Sequence, residues 1–128
     1  MQRKTRQRDA MQEVLRRCGR PLSPQEILEE TQEAIPGMGL ATVYRNVKAL
    51  VESRWLKVVE LPGAPDRYEL ADQGHHHHFH CRNCDRVYDV QGCPGDLHTM
   101  APEGFVLESH EIVLYGRCGA CSESRIAD

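Results

Sequence analysis

The chain has 128 residues, with 16 Lys and Arg against 19 Asp and Glu, and six cysteines. That length fits one ordinary domain or two small ones, each near the size at which a core needs a metal or a partner chain. No apolar run approaches the roughly 20 residues that cross a bilayer, and the polar, basic opening Met1-Gln2-Arg3-Lys4-Thr5-Arg6 is no secretory signal, so a membrane protein is excluded and a cytoplasmic one expected.

Charge is divided along the chain. Residues 1–62 hold eleven Lys/Arg and eight Asp/Glu; residues 63–128 hold five and eleven. A basic front half suits a polyanion and an acidic back half suits cations. The change of character at the histidine- and cysteine-rich stretch that follows Asp72-Gln73-Gly74 predicts two domains, 1–72 and 73–128.

In chain order, Met11, Val14, Leu15 and Cys18 recur at helical spacing and predict a first helix from Thr5 to Cys18. Arg3, Lys4, Arg6 and Arg8 crowd its start, where the helix dipole disfavours cations; a phosphate backbone or a solvated tail both explain them. Gly19-Arg20-Pro21 breaks the helix. Ser23-Pro24-Gln25-Glu26 then has Ser at the N-cap, Pro at the first helical position and Glu at the third, a helix-start signature. This second helix runs to about Ala34, with Ile27, Leu28 and Thr31 inward. A third spans Leu40 to about Ser53, with Leu40, Val43, Val47, Leu50 and Val51 on one face and Ala41, Tyr44, Arg45 and Lys48 on the other. An aromatic, an Arg and a Lys on the outer face suit a DNA major groove and its phosphate walls, although an ordinary solvated face can carry them too. Two strands, Trp55–Leu61 and Arg67–Leu70, flank Pro62-Gly63-Ala64-Pro65-Asp66. A hairpin after a helix-turn-helix is a wing, and raises the DNA reading above the solvated face.

Next comes His75-His76-His77-His78-Phe79-His80-Cys81-Arg82-Asn83-Cys84. Phe79–His80 and Arg86–Val90 read as strands around this first knuckle, Pro94–Ala101 as a short helix, and Val106–Glu108 and Glu111–Tyr115 as further strands before Cys118-Gly119-Ala120-Cys121. Two Cys-x-x-Cys pairs without an export signal favour metal over disulfides; together they supply four thiolates, the closed tetrahedral zinc arrangement. A redox Cys-x-x-Cys is the rival for either pair alone. On a strand, His75 and His77 face one way and His76 and His78 the other, which predicts two further sites. No His-Glu-x-x-His and no His-x-Glu occurs, so a zinc hydrolase or deaminase is disfavoured and the chain reads as a non-enzyme. A zinc-storage or metallochaperone protein is the other alternative; the outer face of the third helix and the wing count against it.

Ala41-Thr42-Val43-Tyr44-Arg45-Asn46, the histidine run before Cys81-x-x-Cys84, His110-Glu111 before Leu114-Tyr115-Gly116, and the last Cys-x-x-Cys together resemble the ferric uptake regulator family, over Thr5 to Cys121. The resemblance implies an α+β chain: an N-terminal winged helix-turn-helix domain, then a small α/β dimerisation domain with a four-cysteine zinc site. It implies a homodimer that binds double-stranded, palindromic operator DNA when metal-loaded and represses metal-homeostasis genes. By position it implies Tyr44 and Arg45 as DNA contacts, with Lys48 on the same face and Lys4 as a minor-groove candidate. Cys81, Cys84, Cys118 and Cys121 match the structural Zn2+ ligands. Glu69, His76, His78 and Asp89 match a regulatory site for Zn2+ or Fe2+, with Mn2+ a third option. His75, His77, Asp96 and His110 match a second site. Many members place a regulatory histidine before helix two; Pro21 stands there here, and no histidine precedes His75. That weakens a peroxide-sensing reading, and a four-ligand set leans toward zinc over iron or manganese. Cys93 is either a softer further ligand for that set or a free buried thiol.

Overall fold

Met11, Val14 and Leu15, the stripe read in the first segment, are all buried. They line the inner face of α1 (Gln2–Cys18), against α2 (Pro24–Thr31) and α3 (Leu40–Glu52). Leu22, Ile27, Met38, Val43, Val47, Leu50 and Leu56 complete this core; burying each such side chain contributes about 1.5–3 kcal/mol. The structure, a computed structural model describing residues 2–126, divides into two units, Met1–Gln73 and Gly74–Asp128.

In the first unit, α2 begins on the capping box read from the sequence. The Glu26 amide donates to Ser23 Oγ at 3.1 Å and the Ser23 amide to Glu26 Oε1 at 3.0 Å, while Arg20 holds the other Glu26 oxygen at 2.9 Å. A cap of this kind contributes about 1 kcal/mol. The helix stops at Thr31, three residues short of the expected end. The amides of Ala34 and Ile35 both turn onto the Thr31 carbonyl, and Gln32 Nε2 reaches on to the Met38 carbonyl, so residues 32–37 run as turns.

The far end of α3 falls at Glu52, with Ser53 as C-cap, where the sequence put it. The Arg54 amide bonds to the Val51 carbonyl and the Trp55 amide to the Leu50 carbonyl, with Arg54 at φ 67°. This is a Schellman end built on an arginine where glycine is usual, a left-handed residue costing about 1 kcal/mol. Leu40, expected inside, is 37% exposed, and Asn46 is buried instead. Strands β1 (Leu56–Val59) and β2 (Arg67–Leu70) pair antiparallel, Leu56 opposite Leu70. Leu22 and Tyr68 exchange both backbone hydrogen bonds at 2.9 Å, stitching the hairpin to the α1–α2 connection.

In the second unit, β3 (His76–Cys81) is central, antiparallel to β4 (Val87–Gln91) and parallel to β5 (Val113–Gly116). The parallel pair needs the long crossover of residues 92–112, which holds one 3-10 turn, Leu97–Met100. The strand expected at Val106–Glu108 does not form: those residues are irregular, and Val106 is 84% exposed. A helix not foreseen, α4 (Gly119–Ile126), starts inside the second knuckle.

Candidate metal centres and nucleic-acid interface

All four knuckle cysteines converge, their sulfurs within 4.8 Å of one another. Sγ of Cys81 lies 3.7 Å from that of Cys121, and Sγ of Cys84 lies 3.8 Å from that of Cys118. A tetrahedron of sulfurs about 2.3 Å from a central zinc has edges of about 3.8 Å, whereas a disulfide needs about 2.05 Å. The amides of Cys84 and Cys118 point at Cys81 Sγ, at 3.4 and 3.3 Å, and Asn83 Nδ2 at Cys121 Sγ, at 3.2 Å. The Cys84 amide is the main reason the Cys81 thiol is lowered to about 6. Cys84 itself is pushed up to about 11 by burial and by the thiols beside it. Four sulfurs this close cannot all ionise without a cation among them, so the donor set fits a closed zinc site. His80 Nε2, 2.7 Å from Asp85 Oδ1, and Arg82, stacked 4.8 Å over Tyr115, brace the first knuckle.

The period-two alternation separates the remaining histidines as expected. On one face of β3, His78 stands opposite Asp89 of β4. His76 Nε2 and His78 Nε2 lie 3.2 and 3.5 Å from Asp89 Oδ1. His76 Nδ1 sits 2.8 Å from the Gly74 carbonyl, which fixes the Nδ1–H tautomer and leaves Nε2 as the ligand atom, the usual support for a metal-binding imidazole. Two imidazole nitrogens and a carboxylate oxygen thus meet at one point of the second unit. Glu69 lies in the first unit, on β2, with its carboxylate 3.7 Å from Lys57 Nζ.

On the opposite face, His75, His77 and His110 gather around one another, with Nε2 atoms 3.1 to 3.2 Å apart. Burial, then the neighbouring His75 and His110 rings, pushes the His77 pKa below its ordinary value, favouring the neutral form that binds metals. The residue that joins them is Cys93, not Asp96. Asp96 caps the 3-10 turn, accepting from the His98 amide at 3.0 Å. Nor does Cys93 join the His76–His78–Asp89 group; it is an exposed thiol, not a buried one. Its loop carries Gly92 and Gly95 at φ 88° and 117°, a path no side-chain pattern announces.

In the first unit, Ala41, Tyr44, Arg45 and Lys48 all lie exposed along the outer face of α3, Tyr44 by 53%. Arg45 Nη2 donates to Thr42 Oγ1 at 3.1 Å. Lys4 is exposed near the start of α1. Asn46, the last residue of the Ala41–Asn46 motif, joins α3 to α1: it donates to the Thr42 carbonyl at 2.9 Å and accepts from Arg8 Nε at 3.0 Å. The signal was a polar residue at an inward position of a helix otherwise lined by valine and leucine.

A winged helix-turn-helix carried on one chain with crowded thiol and imidazole sets defines a metal-responsive DNA-binding regulator. The chain belongs to the ferric uptake regulator family, whose model matches residues 2–115; members are transcription regulators, not enzymes. The ferric uptake regulation protein of Campylobacter jejuni is 31% identical over 126 residues, covering 94% of this chain and 80% of that protein. The Helicobacter pylori ferric uptake regulator, whose structure is described as having three functional metal-binding sites, superposes with a TM-score of 0.68 at 27% identity, over 91% of this chain and 80% of the other. FurB of M. tuberculosis, described as a zinc uptake regulator, is 31% identical with a TM-score of 0.52, over 93% and 95% of the two chains.

Proposed function

We propose that this regulator is a homodimeric repressor of metal-homeostasis genes, holding palindromic double-stranded operator DNA when Glu69, His76, His78 and Asp89 are loaded with a divalent ion. The observation that carries this reading is the convergence of His76 and His78 on Asp89. Glu69 stands seven positions before His76, on the wing, in the unit that carries α3. Side chains from both sides of that short connection would share one ion, which supplies the positive charge that holds two carboxylates together. Ligation from both ends restricts how far α3 can swing. In a dimer that restriction favours the separation of one helical turn of DNA, roughly 34 Å, between two recognition helices. Two imidazoles and two carboxylates fit zinc's four-coordinate preference better than a larger, oxygen-rich shell, so Zn2+ is favoured over Fe2+, with Mn2+ third. That FurB is a zinc uptake regulator supports the same choice. No described helix is long and apolar enough to cross a membrane, and the protein works where its operator lies, in the cytoplasm.

Tyr44 and Arg45 read bases and backbone, Lys48 and Lys4 neutralise phosphates. In the double variant Tyr44→Ala, Arg45→Ala, operator affinity in fluorescence anisotropy falls roughly 100-fold, two contacts at about 1–3 kcal/mol each, while metal content is unchanged. Wild-type affinity in that variant would leave metal storage as the better reading.

A further inference from the structure

Cys93 plays no part in the regulatory reading, yet its surroundings are not those of a surface thiol. Its Sγ lies 3.2 Å from His77 Nε2 and 3.4 Å from His110 Nε2. Those two nitrogens are 3.2 Å apart, and each is 3.1 Å from His75 Nε2. A neutral imidazole brings to such a meeting either one proton or one lone pair. Three Nε2 atoms in mutual contact therefore cannot satisfy one another around the triangle, and a thiol at the fourth corner does not resolve the conflict. A cation does. Around a tetrahedral zinc, nitrogens at about 2.0–2.1 Å and sulfur at about 2.3 Å lie about 3.3–3.6 Å from one another; the three nitrogens, and the sulfur with His77 and His110, stand at or just inside that spacing, and all four donors lie within 4.8 Å of one another. Asp96, meanwhile, accepts the His98 amide through Oδ1 and stands outside this group of donors.

We propose that this cluster is a three-histidine, one-thiolate centre for a tetrahedral, thiophilic divalent ion of the zinc class, with Cys93 supplying the fourth ligand. It stands independently of the operator reading above, since neither DNA nor the regulatory set enters it. A carboxylate in the fourth place would leave the site open to harder, oxygen-preferring ions; a thiolate narrows it toward zinc. Ligation through Nε2 moves the His77 ring proton to Nδ1, at the cost of the hydrogen bond Nδ1 accepts from the Ile112 amide: one neutral hydrogen bond against four metal bonds. The centre also has a structural consequence. His77 lies on β3 and His75 immediately precedes it, while Cys93 and His110 lie at the two ends of the crossover between β4 and β5. An ion there pins both ends of a 92–112 stretch that has no strand of its own.

The test uses the full chain carrying zinc in its four-cysteine site, titrated with Co2+ and then competed with Zn2+. The regulatory set contains no cysteine, so a sulfur-to-cobalt charge-transfer band reports Cys93 alone. Wild-type protein shows that band. Cys93→Ser loses it and binds zinc at this site roughly tenfold or more weakly, at least the scale on which even outer-shell partners act. Cys93→Asp keeps a cobalt d–d spectrum without the sulfur band, and Asp96→Asn leaves band and affinity unchanged. Retained four-cysteine zinc and an unchanged circular dichroism spectrum establish that each variant is folded. No sulfur band in wild type, or a loss of affinity in Asp96→Asn but not in Cys93→Ser, overturns the proposal.

Discussion

In Cys118→Ser protein, the bound structural zinc is lost and the second unit loses its native fold, while the first unit keeps its own. Cys118 is buried where two sulfurs and the start of α4 meet, and Cys84 and Cys121 lie at exposed or half-buried positions with little apolar packing of their own. The three-stranded sheet buries few large apolar side chains; among the described residues of its strands Val87 and Cys81 are the fully buried apolar ones. Structural zinc contributes on the order of 10 kcal/mol in small metal modules, comparable to the whole stability of a domain. A hydroxyl in place of one thiolate leaves three ligands and an open coordination position. Zinc content by atomic absorption, with amide NMR of both units, measures the outcome: dispersion vanishes for residues of β3, β4 and β5 and persists for α1 to α3. A Cys118→Ser protein that kept its zinc and both sets of resonances would show the knot to be ornamental.

In His76→Ala, the metal-dependent part of operator binding disappears, a loss of about 100-fold at saturating zinc, while the metal-free affinity stays as in the wild type. That size follows if the DNA-competent arrangement is populated at about one part in a hundred without metal, because apparent affinity scales with the competent fraction. His76 is chosen because its Nδ1 is already committed to the Gly74 carbonyl and its Nε2 is aimed at Asp89. Glu69→Gln has the same effect on operator binding. Isothermal titration separates this from misfolding, since either variant loses one zinc equivalent and keeps the others. An unaltered metal response in both variants would remove the regulatory set from the mechanism.

Much of this was legible because it rests on short-range rules. The capping box at Ser23 and Glu26, the helical stripe of α1 and the outward Tyr44–Arg45–Lys48 face each follow from spacing alone. The division of His75 and His77 from His76 and His78 needed only the two-residue period of a strand, and β3 delivers it. The misses share a different cause. Cys93 reaches His77 because Gly92 and Gly95 fold the loop through positive φ, and glycine permits that path without requiring it. Asp96 was the ligand the family resemblance implied, but here its carboxylate caps the 3-10 turn at the His98 amide, and Cys93 stands with the imidazoles. Val106 reads as strand by propensity, yet with no neighbouring strand to accept its backbone bonds it stays irregular and exposed. In each case tertiary context decided among conformations that local preference left open.

The most direct test of metal gating is the operator affinity of the unmodified protein, measured by anisotropy at fixed salt over a buffered series of free zinc, from chelator to saturation. The salt must be held constant because phosphate contacts alone shift affinity by orders of magnitude. Gating at the Glu69–His76–His78–Asp89 set predicts a rise of about 100-fold that follows the filling of that set, the zinc equivalent that His76→Ala loses. Equal affinity at both ends of the series, with that equivalent shown to have filled, would contradict it.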